Sequence, residues 1–507
     1  MRLLSRRHVP ALLGGAAVAY WLLVKAALFD RLDYLSDLFS FLQMSISVFG
    51  GRPLLYENAY GDHRVIHNYY VMPLFYPLTH VLGAYGLFVG HALLLIAAVV
   101  SVLALARADT AEKRVWYWSV VAALVLGPVS FWIWDDQPYG FHGELLFLPL
   151  SVLFTTSLLR RSRAAWLFAA LLAFTREEGP IVAWSIHAVY EVTRSDPELA
   201  TSARPAAGRI RRVAAVTATW LLLFCVGMAI QLAIQRGHSS VRDASTAFVR
   251  LAGVWHAPGL RGELVASFID ALLLLLTSWF LLLGGLDLRA PVAAAVCSVA
   301  ILVPATLGSS FYAVPNALRG HGISWSPRFV MLWGLFAAAW LFSIHSTRTS
   351  TLRSRLRRGA IAFALVAASV VAQIAVLETR KQYSLERRIA PIWLGGGAGA
   401  ALSRREDQFL RCLGRRLPHP TPVACSGTLF GRFHRQDLVW PERVGTAWRF
   451  PALVLCDDQG RWPGFDYGCL QLRRTLPASG FAQGTLDGLS FSYGSDLAGV
   501  IESCQGS

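Results

Sequence analysis

The 507-residue chain is 55% hydrophobic and only 15% charged, whereas soluble proteins carry about 25% charged residues. Together with a mean hydropathy of +0.46, this excludes an ordinary soluble protein and predicts a polytopic membrane protein. The net charge of +16 does not indicate nucleic-acid binding. Most of the arginines lie in short loops between apolar runs, where positive charge keeps a loop in the cytoplasm, rather than in a separate basic domain.

The first apolar run, residues 9–29, follows MRLLSRRH and resembles a signal peptide. The run is long and no small-x-small cleavage motif ends it, so an uncleaved first helix is predicted. Arg-rich and acidic loops then alternate, which predicts about eleven transmembrane helices, with the N-terminus in the cytoplasm and the C-terminus outside. The predicted spans are 9–28, 84–106, 115–134, 143–159, two short helices within 164–193, 213–235, 265–285, 290–308, 329–345 and 359–377.

The first predicted outer segment, FDRLDYLSDLFSFLQ (29–43), is acidic. Asp30, Asp33 and Asp37 are spaced by three and four residues, which predicts that they share one face of an amphipathic helix on the membrane surface. A metal ion or a cationic substrate would relieve the repulsion between the carboxylates. The alternative is a solvated helix face with Asp33 or Asp37 as a cap.

The segment 164–193 lies between two Arg-rich loops and contains TREEGP at 175–180. Charged side chains at bilayer depth are stable only where they face protein or water. We therefore predict two short helices that turn at TREEGP on the outer side. Arg176 and Glu177 could pair with each other there, or Arg176 could bind phosphate.

Further candidate site residues lie in three other predicted outer segments. The alternative interpretation is that they are ordinary interfacial or loop residues with no role in a site. Arginine and histidine could hold a lipid phosphate. Histidines and carboxylates could also bind a divalent cation, although no residue is assigned as a metal ligand. These residues are His63 and His67, four apart; Asp135, Asp136, His142 and Glu144 between two apolar runs; and Arg319, His321 and Arg328 before the tenth helix.

Residues 378–507 are richer in charge, Pro and Gly and contain no long apolar run. They are predicted to form a small soluble domain of mixed α/β character outside the cytoplasm, after a transmembrane domain of residues 1–377.

Five of the seven cysteines lie in this C-terminal domain, where an extracytoplasmic compartment would oxidise them. The absence of a CxxC spacing disfavours the rival interpretation, a zinc site. Sequence does not fix the connectivity among Cys412, Cys425, Cys456, Cys469 and Cys504, but Cys412/Cys425 and Cys456/Cys469 are candidate pairs.

Several short motifs occur in a fixed order along the chain. They are DLFSFLQ (37–43); His63 before Pro73-Leu74-Phe75-Tyr76; Phe141-His142-Gly143-Glu144 before Leu148-Pro149-Leu150; Arg176-Glu177-Glu178; and Arg435…Pro441 before Val454-Leu455-Cys456-Asp457. In this order they resemble a bacterial family of predicted multi-pass membrane proteins of unassigned function. The chain departs from that family's pattern where Phe39 replaces a Gly and Arg176 replaces a Lys.

That family is similar to the GT-C glycosyltransferases, which take sugars from polyprenyl-phosphate donors. The resemblance implies a bacterial inner-membrane enzyme that transfers a sugar, with inversion, to an envelope glycan, lipid or protein acceptor on the outer face. It implies that Asp37 is the general base, with Asp30 or Asp33 as the fallback. The substrate-binding candidates are Asp33, Gln43, His63, His67, Asp136, His142, Glu144, Arg176, Glu177, Arg319, His321 and Arg328.

Two other functions stay open on the sequence. A transporter or flippase of a lipid-linked or anionic substrate would use the charged residues of the broken hairpin at 175–180. A non-catalytic envelope-assembly protein would act through residues 378–507. The partners expected under all three are membrane lipid and envelope components rather than nucleic acid.

Overall fold

The computed structural model describes residues 9–32, 34, 37–126, 140–194, 205–236, 287–307, 329–347, 364, 367–368, 371, 402–459, 467–476 and 480–506. These residues are mostly helical, and strands are concentrated near the C-terminus.

Apolar helices form the N-terminal part of the described chain. They and the shorter outer elements are α1 (Val9–Asp30), α2 (Asp37–Ile46), β1 (Tyr56–Glu57), β2 (Gly61–Asp62), α3 (Tyr76–Leu82), α4 (Tyr85–Ala108), α5 (Ala111–Leu126), α6 (Phe147–Leu159), α7 (Ala164–Thr175), α8 (Gly179–Thr193), α9 (Pro205–Gln235), α10 (Arg289–Leu307) and α11 (Phe329–Ser346).

Three of the described helices are long and apolar enough to cross a membrane: Leu12–Asp30, Tyr85–Ala108 and Ala207–Gln235. Shorter apolar helices accompany them, and α6, α8 and α11 pack against one another in the middle of the bundle. The chain is therefore a helical protein with membrane-spanning character. The predicted span 265–285 and nearly all of 359–377 lie outside the described residues.

The described helix ends are grouped at two ends of the bundle. At one end, Lys113 Nζ donates a hydrogen bond to the carbonyl of His345 at 2.7 Å. At the other end, Gln231 Nε2 donates to the carbonyl of Arg64 at 2.6 Å. The first contact joins residues 107–114, predicted to be a cytoplasmic loop, to the end of α11. The second joins a predicted outer loop to the end of α9.

The predicted pair of short helices around TREEGP is confirmed. α7 ends at Thr175, and α8 begins at Gly179. A Cβ at Gly179 would lie only 2.0 Å from the carbonyl oxygen of Leu172, so the two helix ends approach closely because glycine stands at this position.

The prediction that Asp30, Asp33 and Asp37 share one helix is wrong. α1 ends at Asp30, and α2 begins only at Asp37. Leu32 adopts a left-handed backbone conformation with φ 61°, which stops a right-handed helix, and its side chain is buried. Asp33 lies outside the described residues.

The C-terminal region is a mixed α/β unit, as predicted. Its elements are α12 (Arg404–Arg416), β3 (Pro422–Cys425), β4 (Asp437–Val439), β5 (Leu453–Asp457), α13 (Tyr467–Thr475), β6 (Phe481–Leu486), β7 (Leu489–Gly494) and α14 (Ala498–Gln505). The sheet order is β4-β3-β5-β7-β6. β3 pairs in parallel with β4 and β5, whereas β7 pairs antiparallel with β5 and β6.

Two disulfides close this unit. The predicted pair Cys456–Cys469 is confirmed. The predicted pair Cys412–Cys425 is wrong, because Cys412 is bonded to Cys504. Cys412 lies on α12, which packs against α14, whereas Cys425 is a buried free thiol on β3.

The C-terminal unit contacts the outer loops through β4, an edge strand of its sheet. Gln43 Nε2 and Asn58 Nδ2 each donate to the Leu438 carbonyl at 2.6 Å. Arg52 pairs with Asp437 at 2.6 Å. These contacts cover backbone groups that an exposed edge would offer to another chain, and they place the unit at the same end of the bundle as the predicted outer loops.

Candidate functional site

The predicted outer segments meet around Arg176, at the turn between α7 and α8. The guanidinium Nη1 lies 2.5 Å from Glu144 Oε1. Its Nε lies 3.3 Å from Glu177 and 3.1 Å from Glu178. Tyr69 donates its hydroxyl proton to the same Glu144 oxygen at 3.0 Å. Three segments far apart in the chain thus form one ionic cluster, and the Arg176 side chain is only 2% exposed.

His67 joins the cluster through Glu177. Its ring Nδ1 lies 2.5 Å from Glu177 Oε1, and Nη2 of Arg176 lies 3.2 Å from His67 Nε2. Burial acts to raise the pKa of Glu177, but the positive charges of His67 and Arg176 outweigh it, so the pKa lies well below its ordinary value. Glu177 is therefore an anion that fixes the His67 ring.

The pKa values of Arg176 and Tyr69 are raised. Burial alone would lower the pKa of Arg176, but Glu178, Tyr69 and the other carboxylates raise it well above its ordinary value. Burial and the charge of Glu144 raise the pKa of Tyr69 well above its ordinary value. The guanidinium therefore stays charged, and the Tyr69 hydroxyl stays a hydrogen-bond donor.

Three carboxylates of the described residues, those of Glu144, Glu177 and Glu178, surround the guanidinium of Arg176. Charge-assisted hydrogen bonds to carboxylates use the donors that a phosphate would otherwise need. Arg176 is thereby occupied by carboxylates rather than directed at an anionic ligand.

One oxygen of the cluster is not used within it. Glu144 Oε2 is buried and accepts no hydrogen bond from any described residue. A buried carboxylate oxygen is stabilised by a donor, so this atom marks a position at which a hydroxyl or a water molecule would bind.

Asp37 lies at the edge of this region, at the first position of α2. Its side chain is 52% exposed, and its Oδ2 lies 3.9 Å from His142 Nε2. Phe41, one turn later on the same helix, packs its ring against those of His142 and Tyr69. The helix N-terminus stabilises the Asp37 carboxylate, and His142 lies two residues before Glu144.

Gly143 allows these groups to come close together. A Cβ at Gly143 would lie 2.6 Å from the ring of Tyr69. The segment Phe141–Glu144 can therefore lie directly against the Tyr69 ring, and the Tyr69 hydroxyl reaches Glu144.

Several predicted site residues serve other contacts. His63 pairs with the buried Glu57 at 3.2 Å rather than with the Arg176 cluster. Gln43 is buried and bridges to β4, as described above. Asp30 accepts a hydrogen bond from the Tyr85 hydroxyl at 2.5 Å. The predicted site residues that lie outside the described part of the chain are Asp33, Asp136, Arg319, His321 and Arg328.

Sequence reasoning missed two members of this region and assigned no role to a third. Tyr69 carries no sequence signal that separates it from Tyr70. Glu57 is an isolated carboxylate in a loop, yet it is fully buried and accepts the backbone N–H groups of Ala59 and Tyr60. Glu178 belongs to the TREEGP motif, and its charge two residues from Arg176 was a sequence signal that the two could pair.

Among the described residues, no three His, Cys, Asp or Glu side chains are grouped as metal ligands. His63 is paired with Glu57 and His67 with Glu177. The centroids of the two imidazole rings are 6.3 Å apart. Asp135 and Asp136 lie outside the described residues. The described part of the site is a buried, acid-rich hydrogen-bonding cluster with the exposed Asp37 at its edge.

Comparison with protein families, curated proteins and solved structures finds no match. The resemblance to a family therefore rests on the short motifs given above, and function has to be inferred from the site.

Proposed function

We propose that the chain is an integral membrane glycosyltransferase of the GT-C kind, which moves a sugar from a polyprenyl-phosphate donor to an envelope acceptor on the outer face. The observation that carries this proposal is the arrangement of two carboxylates. Asp37 is exposed beside His142, while Glu144 holds a buried, unused oxygen two residues further along.

The two carboxylates suit different steps of an inverting transfer. Asp37 takes the proton of the acceptor hydroxyl, whose oxygen attacks the anomeric carbon as polyprenyl phosphate leaves from the opposite side. Removal of such a base slows the reaction by about 10²- to 10⁴-fold. Glu144 Oε2 accepts a hydrogen bond from a hydroxyl of the sugar or of the acceptor. His142 lies beside Asp37 and two residues before Glu144.

Arg176 acts in this proposal as a positioning residue. Its guanidinium holds Glu144, Glu177 and His67 in place and is already surrounded by negative charge. Neutralisation of the departing phosphate is therefore assigned to Arg319 and Arg328 of the predicted outer segment 309–328, which lies outside the described residues, since a developing anion needs fixed cations.

Two features support an extracytoplasmic position for the site and the C-terminal unit. The disulfides Cys412–Cys504 and Cys456–Cys469 are typical of oxidising compartments. The opposite ends of the helices carry the Arg-rich loops, which favour the cytoplasm. A phosphatase reporter fused to the C-terminus should be active in intact cells, and an inactive reporter in a folded fusion would contradict this orientation.

The test of the activity compares deletion strains that carry the wild-type gene, Asp37→Asn or Asp30→Asn. Envelope glycans and lipid-linked sugars are measured by mass spectrometry. Asp37→Asn should reproduce the deletion, with a glycan lost and its lipid-linked precursor accumulated, because the base is absent.

Asp30→Asn is the matched control, since it makes the same change at the same end of the bundle on a carboxylate that is bonded to Tyr85. It should retain the glycan. Both variants must reach the membrane in equal amounts. If the deletion alters no glycan or lipid-linked sugar, the transferase proposal fails. If only Asp30→Asn behaves like the deletion, the base is reassigned.

Transport is the second candidate, because a fully buried arginine at the turn of a short hairpin suits a substrate pathway. Under that function, the lipid-linked sugar accumulates in the cytoplasmic leaflet of the deletion strain, and Asp37→Asn transports normally. The same set of strains therefore separates the two proposals.

A further inference from the structure

A cavity of 290 Å³ lies at the end of the bundle opposite the Arg176 cluster, between α6, α7 and α8. Arg161, Ser162 and Arg194 line it together with His187, Trp166 and Tyr190. This is close to the lower limit of about 300 Å³ for small-molecule sites. The mixture of cationic and aromatic side chains indicates a ligand with an anionic group and an apolar part.

Arg161 occupies a backbone position that normally favours glycine. The N–H of Ser162 donates to the carbonyl of Ser157 at 2.9 Å, and the N–H of Arg161 donates to that of Leu158 at 3.0 Å. These bonds form the terminating motif of α6, with Arg161 in the left-handed conformation at φ 53°. Glycine is preferred there, so the sequence places a charged side chain at the cavity despite backbone strain.

The second cationic group at the cavity is Arg194, which follows the end of α8. It lies 3.6 Å from Glu191, and Arg212 lies 2.9 Å from the same carboxylate. Arg161 and Arg194 therefore bring two guanidiniums to the lining of the cavity.

The aromatic side of the cavity supplies another donor and stacking surfaces. Trp220 donates to His187 Nδ1 at 3.4 Å, so a neutral His187 ring carries its proton on Nε2. The His187 ring also packs against those of Trp166 and Tyr190.

The adjacent helix offers an apolar outer surface. Leu167 and Phe174 on α7 are exposed, and their spacing of seven residues places them on one face of the helix. Trp166 is also exposed beside the cavity. An apolar chain that begins at the cavity can therefore follow α7 along the bundle.

We propose that this cavity binds the phosphate of an anionic phospholipid, with its acyl chains lying along the exposed face of α7. The Arg-rich end of the bundle is the one predicted to face the cytoplasm. Anionic lipids are concentrated in that leaflet and attract basic groups, and basic pockets between helices bind their headgroups.

The test uses the full chain, purified in neutral detergent and freed of lipid. Thermal unfolding is followed while phosphatidylglycerol, phosphatidylcholine or glycerol 1-phosphate is added, because a ligand that binds the folded state raises its Tm. Phosphatidylglycerol should raise the Tm of the wild type, and the other two should not.

Arg161→Gly separates binding from folding. Without lipid its Tm should equal or exceed that of the wild type, because glycine suits the left-handed position. The half-maximal phosphatidylglycerol concentration should rise about fivefold, as expected for the loss of one lipid-facing arginine.

The double variant Arg161→Gln/Arg194→Gln should show a rise of at least about tenfold. Its matched control is Arg160→Gln/Arg163→Gln, which removes the same charge from the same end of the bundle but changes no residue lining the cavity. That control should lie within about twofold of the wild type.

Three results overturn the proposal. Equal losses in the two double variants would assign the effect to the general charge of this end of the bundle. An equal Tm shift with phosphatidylcholine would show that the cavity does not recognise the anionic headgroup. An equal shift with glycerol 1-phosphate would assign the cavity to a soluble anion.

Discussion

Two acidic regions at the same end of the bundle differ in how they hold their charge. The Arg176 cluster is buried, and its carboxylates are paired with the guanidinium. Asp37 is half exposed, on the first turn of a helix, and its Oδ2 lies 3.9 Å from His142 Nε2. The first arrangement fixes backbone segments relative to one another, whereas the second leaves a carboxylate accessible to a ligand.

The difference shows that the most buried charge is not the best candidate for chemistry. A buried ion pair is strongly destabilising when one partner is removed, so its residues are held for folding whatever else they do. An exposed carboxylate has little structural role and can be lost with little effect on stability. Stability and activity measurements should therefore separate the two regions.

The largest expected effect is that of Arg176→Gln. It leaves Glu144, Glu177 and Glu178 close together without their cation, and we expect a loss of about 3–5 kcal/mol in the free energy of unfolding. Thermal and denaturant unfolding of the purified protein measures the loss.

Arg64→Gln is the matched control, because Arg64 pairs with Asp62 at 2.6 Å at the same end of the bundle but in a partly exposed position. Such pairs contribute about 0–1 kcal/mol. Similar losses in the two variants would show that the Arg176 cluster is not the structural centre of this end.

Glu144→Gln tests how firmly the Arg176 cluster holds Glu144, the residue whose Oε2 is proposed to bind substrate. It keeps the shape of the side chain but weakens the hydrogen bonds that Oε1 accepts from Arg176 and Tyr69. We expect a loss of about 2 kcal/mol, since hydrogen bonds to charged groups contribute about 1.5–3 kcal/mol. Denaturant unfolding measures it, and an unchanged midpoint would mean that Glu144 is not held in the folded state as an anion.

Acid should weaken the cluster through Glu177. Its pKa in the folded state is lower than in the unfolded state, so its contribution to stability is complete above the ordinary pKa of 4.5. That contribution is lost as the pH falls below this value, because the unfolded state then binds more protons.

Glu177→Gln should make stability less dependent on pH below that value, with a smaller change of about 1–2 kcal/mol at neutral pH. Unfolding measured across this range checks the result. An unchanged acid limb in Glu177→Gln would show that another carboxylate controls it.

Local patterns predicted the elements that depend on local chemistry. TREEGP between two apolar runs predicted the α7–α8 hairpin, and the composition of residues 378–507 predicted the mixed α/β unit. Spacing failed at Asp30 and Asp37 because Leu32, whose side chain is buried, adopts a left-handed backbone conformation between them. A periodic pattern does not reveal a single residue that ends a helix.

The composition of the site was predictable, but its partnerships were not. Sequence suggested the Arg176–Glu177 pair, which the structure contains, but it named His67 and Glu144 separately from that pair. The structure joins them through contacts between residues as far apart as His67 and Glu177. Gln43 was assigned to substrate, whereas the fold uses it to hold β4. Such pairings depend on how the helices pack, which short motifs do not encode.

The smallest expected effect on stability is that of Asp37→Asn, and it sharpens the comparison most. Asn also suits the first turn of a helix, and the carboxylate is half exposed, so the free energy of unfolding should change by no more than about 0.5 kcal/mol. The same variant should lose transfer activity, measured as polyprenyl phosphate released from a polyprenyl-phosphate sugar by the purified protein. Loss of activity at unchanged stability would show that Asp37 acts in the chemistry, whereas the residues of the Arg176 cluster are needed for folding. Loss of both together would place Asp37 among the residues that build the site.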